Sequence, residues 1–293
     1  MHLLHILGWI CWRLGHRGRR ALAQVMGWIL SAVALGRKQL TVQNLRRAFP
    51  NASPAELARR SRASFANLVL VFEELLATPF LTSDQLRSYF RFTNPELLRD
   101  ALRRERGVIL WSAHLANWEW SALVAALEFE RPLLVVVKEQ RNRVVNSWLD
   151  RVRRTTGNIL VPMFRSARAM LEHLGQGGVV ALLGDQAADP RSDPFVLLFG
   201  SPAATHKAPV LLARHSGAVL LFAYCLRTED GCYEVFFEPV PGAHDESVPV
   251  EEVVAHYNRL LERAILRAPE QWVWQHNRWK YQPRTSQSSN HET

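Results

Sequence analysis

The sequence predicts an α/β fold, a mainly parallel sheet flanked by helices and preceded by a helical N-terminal segment. Three observations predict it. Short apolar runs alternate with helix-length amphipathic stretches from about residue 108 onward, the pattern of βαβ units. Gly157, Gly175 and Gly217 each follow a helical stretch, where a left-handed residue ends the helix. No internal repeat or long linker interrupts the alternation, so one catalytic-sized domain spans residues 41–284 after an N-terminal segment of residues 1–40. Residues 285–293 are polar, and a disordered tail is expected there.

Taken in order, Leu3 to Trp12 is apolar, Arg13, Arg17, Arg19 and Arg20 follow, and Ala21 to Gly36 is a second run without charge. That run falls short of the roughly 20 residues needed to span a bilayer upright. A membrane-anchoring helix, spanning or interfacial, is the preferred reading. A helix buried against the domain competes with it. So does a cleaved signal peptide, because Ala32-Val33-Ala34 imitates a cleavage site. Arg37, Lys38, Arg46 and Arg47 lie just beyond and would hold the following domain on the cytoplasmic side.

Ser53-Pro54-Ala55-Glu56 reads as a helix start, with Ser as cap, Pro at the first position and Glu completing a capping box. The helix is expected to reach about Ala77. Asn94-Pro95-Glu96 opens another, ending near Gly107. Strands are then expected at 108–112, 133–138, 158–161, 178–183, 218–227 and 232–238. Helices are expected at 116–129, 142–155, 166–175, 206–215 and 249–267. The last two strands, joined by Thr228 to Gly231, read as an antiparallel hairpin. Ala187 to His206 is long and poor in regular patterning, and a lid over a substrate groove is expected there.

The 293 residues carry 36 Lys and Arg against 27 Asp and Glu, a formal net charge of +9. A surface of that sign suits nucleic acid, anionic lipid or an acidic protein. No helix-turn-helix, zinc-finger or RNP-like string is present, which ranks nucleic acid last. Cys11, Cys225 and Cys232 lack metal-ligand spacing, so no metal or cofactor is expected. Their odd number favours reduced thiols. There is no Gly-x-Ser-x-Gly elbow, Walker loop or dinucleotide glycine pattern, which removes serine hydrolases and nucleotide-loop enzymes.

The segment Gly107-Val-Ile-Leu-Trp-Ser-Ala-His114-Leu-Ala-Asn117-Trp118-Glu119 carries the chemistry. His114 sits where a strand turns into a helix, and Glu119 lies in the first helical turn. There the acid can lean back toward the cap and fix one imidazole nitrogen. The other nitrogen is then free to act as a base on a hydroxyl or amine. Gly184-Asp185-Gln186 follows another strand end, and sites in such sheets gather at the carboxyl ends of strands. Asp185 reads either as a site residue of that cleft or as a solvated loop acid. Arg165, just before a helix start, reads as a phosphate or thioester-oxygen ligand or as one solvated arginine among many. Arg278 and Lys280, interleaved with Trp274 and Trp279, read as headgroup contacts or as part of a packed aromatic segment.

The string His114-Leu-Ala-Asn-Trp-Glu119 resembles the His-x4-acid motif of glycerolipid-type acyltransferases. It resembles more closely the His-Leu-Gly-Asn-Trp-Glu form of bacterial lipid A late acyltransferases, with Ala116 in place of the usual glycine. Further blocks resemble that family in the same order from about residue 35 to 284. They are Arg37 through Pro50, Val179 through Gln186, Phe199 through Thr205, and Pro269 through Lys280. The resemblance implies an acyl thioester-dependent O-acyltransferase on the cytoplasmic face of a bacterial inner membrane. Acyl-carrier protein, or alternatively coenzyme A, would deliver the acyl group as co-substrate. The acceptor would be a membrane glycolipid, most often a lipid A precursor, with another glycolipid or an aminolipid as the alternative. His114 and Glu119 are the implied catalytic pair, and Asn117, Arg165, Asp185 and Gln186 the implied substrate-binding residues. An anionic membrane surface and the carrier protein are the implied partners. A non-catalytic lipid-binding protein and a thioesterase-like hydrolase are the competing readings from other classes.

Overall fold

A computed structural model describes residues 2–283, with the side chain of Arg165 excepted; the expected tail at 285–293 lies outside the described residues. In chain order the elements are α1 (His2–Arg13), α2 (Gly15–Val33), α3 (Leu35–Ala48), α4 (Pro54–Ala77), α5 (Ser83–Ser88), β1 (Phe90–Phe92), α6 (Pro95–Arg103) and β2 (Val108–Ser112). They continue with α7 (Trp118–Glu128), β3 (Leu133–Val137), α8 (Arg143–Arg154), β4 (Ile159–Pro162), α9 (Ser166–Gly175) and β5 (Val179–Leu183). The rest are β6 (Phe195–Leu198), β7 (Ser201–Ala204), α10 (Ala208–Ser216), β8 (Val219–Arg227), β9 (Tyr233–Pro239) and α11 (Val250–Arg267).

Seven strands form one sheet in the order β1-β9-β8-β2-β5-β3-β4. From β8 to β4 every neighbouring pair is parallel, and β8 with β9 is the antiparallel hairpin that the Thr228–Gly231 turn predicts. β2 and β5 are central and read as unbroken apolar runs because both their faces are covered. Alternate residues of β2 feed two cores. Ile109 and Trp111 join one with Met170, Leu174, Val210 and the buried face of α11. Val108 and Leu110 join the other with Val71, Leu98, Leu123 and Val152. Helices α9, α10 and α11 therefore cover one face of the sheet, and α6, α7 and α8 the other.

Helix α4 starts as its sequence demands. Pro54 opens it and Ser53 Oγ accepts from the Glu56 backbone N–H at 3.2 Å. The Glu56 carboxylate does not return to the cap, however; Arg60, one turn on, takes it. A further expectation is corrected. The segment from Ala187 to His206 is not without regular structure. It contains the β6–β7 hairpin, in which Phe199 and Gly200 both adopt positive φ (49° and 68°) between the paired Leu198 and Ser201, the left-handed pair a two-residue hairpin turn requires. Asn258 and Glu262 of α11 hold it, donating to Leu197 O and accepting from Phe199 N–H. Three successive helices cover His2–Ala48, and residue 40 lies inside α3.

Under the sheet's carboxyl edge sits one buried carboxylate, Glu74 of α4. Its Oε2 accepts from Asn117 Nδ2 (2.9 Å), Arg227 Nη2 (2.9 Å) and the Tyr233 hydroxyl (2.6 Å). Arg227 also reaches Asn67 Oδ1, so α4, β8, β9 and the start of α7 share one charged joint. Breaking a buried pair on one side leaves the other charge uncompensated, at about 3–5 kcal/mol. Glu74→Ala is therefore expected to lower unfolding free energy by that order in chemical denaturation. A variant within about 0.5 kcal/mol of the parent, the range of ordinary surface substitutions, contradicts this role.

Candidate active site

The register of two parallel strands builds the site. Ser112 of β2 lies opposite Leu183 of β5. Two residues beyond each, at the carboxyl end of the sheet, stand His114 and Asp185. The Asp185 carboxylate accepts from His114 Nδ1 at 2.7 Å through Oδ1 and from the His114 backbone N–H at 2.9 Å through Oδ2. Trp272 Nε1 donates to the same Oδ2 at 2.7 Å. Burial opposes the charge on Asp185, but the imidazole and these N–H donors outweigh it and hold the carboxyl down at about 2. The Asp185 side chain is 2% exposed and that of His114 17%. The acid is thus sealed while the imidazole reaches solvent.

With Nδ1 donating to Asp185, Nε2 is the nitrogen left to accept a proton. Gln186 Nε2 stands 3.3 Å from it, and Trp118 meets the ring edge-on with centroids 4.9 Å apart. Burial disfavours the imidazolium, yet the Asp185 carboxylate, with a smaller contribution from Glu119, raises its pKa above the ordinary 6.5. His276 lies beneath in a different state. Its Nε2 accepts from the Ala187 N–H at 3.1 Å, and burial lowers it to about 4, so it stays neutral.

The expected partnership of His114 with Glu119 is corrected by this geometry. Asn117 is the N-cap of α7 and accepts from the Trp120 N–H at 2.9 Å. Glu119 is then the second helical residue, one short of the position from which an acid reaches back to the cap. It points instead to α8, where Arg153 grips both its oxygens through Nε (2.9 Å) and Nη2 (2.5 Å). Asn117, expected at the substrate, is fully buried between Trp120 and Glu74 and so shapes the turn from within. Asp185, expected to meet substrate or Arg165, is fully engaged by His114 and Trp272. Gln186 is beside His114 Nε2. Arg165 follows β4 at the same carboxyl edge, and its side chain lies outside the described residues. Arg278 is no headgroup ligand: it is 1% exposed and donates to Ala204 O and Thr205 Oγ1.

Sequence reasoning missed Trp272 and Arg153. Trp272 was visible only as one tryptophan of an aromatic-rich segment. It is delivered to Asp185 by main-chain pairing of the C-terminal segment with the histidine turn, Ala116 N–H to Gln271 O (2.9 Å) and Val273 N–H to His114 O (3.2 Å). Arg153 carries no signal beyond its place among the basic residues that end α8.

The bacterial lipid A biosynthesis acyltransferase family model matches residues 1–281. The lipid A biosynthesis palmitoleoyltransferase of Escherichia coli (strain K12) is 26% identical over 251 residues, covering 84% of this chain and 80% of the relative. The lauroyltransferase of the same organism is 28% identical over 249 residues, with the same coverage. A lipid A biosynthesis acyltransferase of Haemophilus influenzae is 20% identical over 269 residues, 90% of this chain and 85% of the relative.

Two measurements probe the site itself. Ala116 holds φ at +48° in the histidine turn, a left-handed conformation that costs a residue with a Cβ roughly 1–2 kcal/mol. Ala116→Gly relieves that strain but adds unfolded-chain entropy worth about 0.4–1 kcal/mol. It is expected to stabilise by up to about 1 kcal/mol in thermal or chemical denaturation; a loss of stability contradicts the strain. The second concerns pH. If His114 acts as a base it must be neutral, so its raised pKa would make turnover fall with acidification from above pH 6.5. Asp185→Asn removes the stabilising charge and should move that limb to lower pH, with a lower plateau because the tautomer is no longer held. The linkage to stability has the opposite sense for the two partners. The His114 contribution is complete below 6.5 and lost as pH rises through its raised pKa. The Asp185 contribution is complete above 3.8 and lost toward about 2. An unmoved pH profile in Asp185→Asn removes Asp185 from the mechanism.

Proposed function

The chain belongs to the bacterial lipid A biosynthesis acyltransferase family, and from that premise we propose that His114 is the general base of fatty acyl transfer from an acyl thioester to a hydroxyl of a lipid A precursor. The observation that carries this reading is the 2.7 Å contact of His114 Nδ1 with a sealed carboxylate while the ring stays open to solvent. Nε2 takes the proton of the acceptor hydroxyl as its oxygen attacks the thioester carbonyl. The tetrahedral intermediate collapses, the carbon–sulfur bond breaks, and the imidazolium returns the proton to the departing thiolate. Asp185 holds the tautomer that leaves Nε2 unprotonated and stabilises the cation while it lasts. Glu119 and Arg153, 13% and 17% exposed, form a rigid ion pair beside the turn, and the carboxylate adds to the potential that favours the imidazolium.

Acyl-carrier protein is the donor this reading favours, with coenzyme A the other possible thioester. The relatives are named for different acyl groups, so chain length is not carried across. The enzyme would work at the cytoplasmic face of the inner membrane, where a glycolipid acceptor and a soluble thioester meet. Residues 1–40 would be its membrane-associated segment and residues 41–284 its catalytic domain.

Purified protein given acyl thioester with and without the glycolipid acceptor tests the assignment. Acylated glycolipid formed only with acceptor is the expected result. Free fatty acid released equally without acceptor would identify a hydrolase instead. A positioned base contributes about 10²–10⁴-fold, so His114→Ala should lose transfer by that factor while keeping its fold by circular dichroism. A folded His114→Ala enzyme with near-parental turnover would overturn the mechanism.

A further inference from the structure

Residues 1–55 contain eight basic and no acidic residues, so this stretch carries eight of the chain's nine net positive charges. The structure sorts its side chains onto two faces. One face of α2, Arg19, Ala23, Gly27 and Ser31 at i,i+4 spacing, is buried. A Cβ on Gly27 would stand 2.5 Å from Ala66 Cα, and one on Gly8 of α1 2.3 Å from Leu76 O. Both helices therefore meet α4 backbone to backbone. Arg19, 1% exposed, donates to Cys11 O at 3.2 Å and closes the elbow between them from inside.

The opposite face is large, apolar and uncovered. Leu3, Ile6 and Ile10 project from α1, and Val25, Ile29 and Val33 from α2. Trp9 and Trp28 stand with them, 50% and 61% exposed. Exposed arginines 13, 17 and 20 mark the elbow, with Arg13 lying 6.0 Å over the Trp9 ring and 5.9 Å over Trp12. Tryptophan beside arginine at the rim of an apolar face fits a headgroup boundary.

Neither helix has the means to cross a bilayer. The apolar part of α2, from Ala21 to Val33, is about 20 Å long against a core of about 30 Å. Standing α2 upright would pull Arg19 and Gly27 off α4. Among the described residues the one helix long and apolar enough to span runs from Pro54 to Phe80, and more than half of it is buried in the protein.

We propose that α1 and α2 form a monotopic docking face that lies flat within a single leaflet of an anionic membrane. The arginines of the elbow contact the phosphates and the two tryptophans sit at headgroup depth. This rests on the membrane placement proposed above and not on the chemistry of His114, because its test reads geometry and binding rather than transfer. Full-length protein, with native cysteines replaced by alanine and one cysteine introduced by His2→Cys or Gly36→Cys, is bound to vesicles of equal parts phosphatidylethanolamine and phosphatidylglycerol. Both cysteines are expected to react with a membrane-impermeant maleimide added outside. Reaction of one of them only after the vesicles are opened means a spanning helix and overturns the proposal.

A second measurement keeps all cysteines and so does not depend on the altered protein folding. Trp28→Glu/Ile29→Glu in the full chain is expected to weaken vesicle co-sedimentation by at least about tenfold, from the apolar area no longer buried. Its transfer to detergent-dispersed acceptor is expected to be unchanged. Binding equal to that of the parent, or parent binding equally strong to pure phosphatidylcholine, overturns the proposal. An enzyme inactive for other reasons would still lie in one leaflet, so the two readings fail separately.

Discussion

A buried carboxylate is a costly thing to place, and Asp185 is tolerated because it is surrounded by donors. Its three contacts come from two separate stretches of chain: backbone and ring of the histidine turn after β2, and the indole of Trp272 in the C-terminal segment. Its own position comes from the end of β5. Each partner is therefore held partly by the need to satisfy the same acid. That requirement places the imidazole, selects its tautomer, and brings the C-terminal segment across the sheet edge. The chemistry at Nε2 is a consequence of an electrostatic problem solved at Nδ1.

A second buried acid repeats the arrangement one layer below. Glu74 receives Asn117, Arg227 and Tyr233, and Asn117 in turn caps the helix that begins four residues after His114. The histidine turn is held from above by Asp185 and from below by Glu74. This explains how a turn containing a left-handed Ala116 keeps its shape, since strain persists where the surroundings over-determine it. The Glu119–Arg153 pair pins the first turn of α7 to α8 from the side. Loss of Glu119 would release Arg153 as well, so its effect on turnover would combine altered potential at His114 with movement of α7.

Much of the scaffold was legible because it follows from local rules. Apolar runs bounded by glycine gave the central strands within a residue or two, as at 108–112. Pro and Ser located the start of α4. The histidine turn was legible because strand, small residues, imidazole and helix follow one another in the chain. The partner of the imidazole was not. Glu119 is close in sequence, whereas Asp185 is 71 residues away and becomes adjacent only through the register of β2 against β5, which no local pattern encodes. The β6–β7 hairpin is not legible in the sequence for a related reason. Ser201-Pro202-Ala203-Ala204 has little strand propensity, and its strand is held by α11 and Arg278 from outside. Arg278 itself reads as a surface cation, yet it is buried against a carbonyl and a hydroxyl, and burial lowers it to about 10.

The proposed membrane face and the candidate active site are joined by a short structural path. Helix α3 follows α2, and its Asn44 donates to Trp274 O (2.9 Å) and His276 O (2.8 Å). Arg37 adds a bond to Gln275 O at 3.1 Å. The same segment reaches the histidine turn, because His276 accepts from Ala187 N–H beside Gln186 and Trp272 holds Asp185. The helix leaving the apolar face therefore grips the segment that completes the site. An acceptor lipid anchored by its chains can present its headgroup only within a limited height of the bilayer. If the proposed docking face lies in the leaflet, the side-chain hydrogen bonds from α3 to the main chain of Trp274, Gln275 and His276 would set the height and tilt of His114 relative to that headgroup. On that proposal membrane binding would be part of positioning the acceptor hydroxyl, and positioning is where a directly attacking nucleophile gains much of its rate.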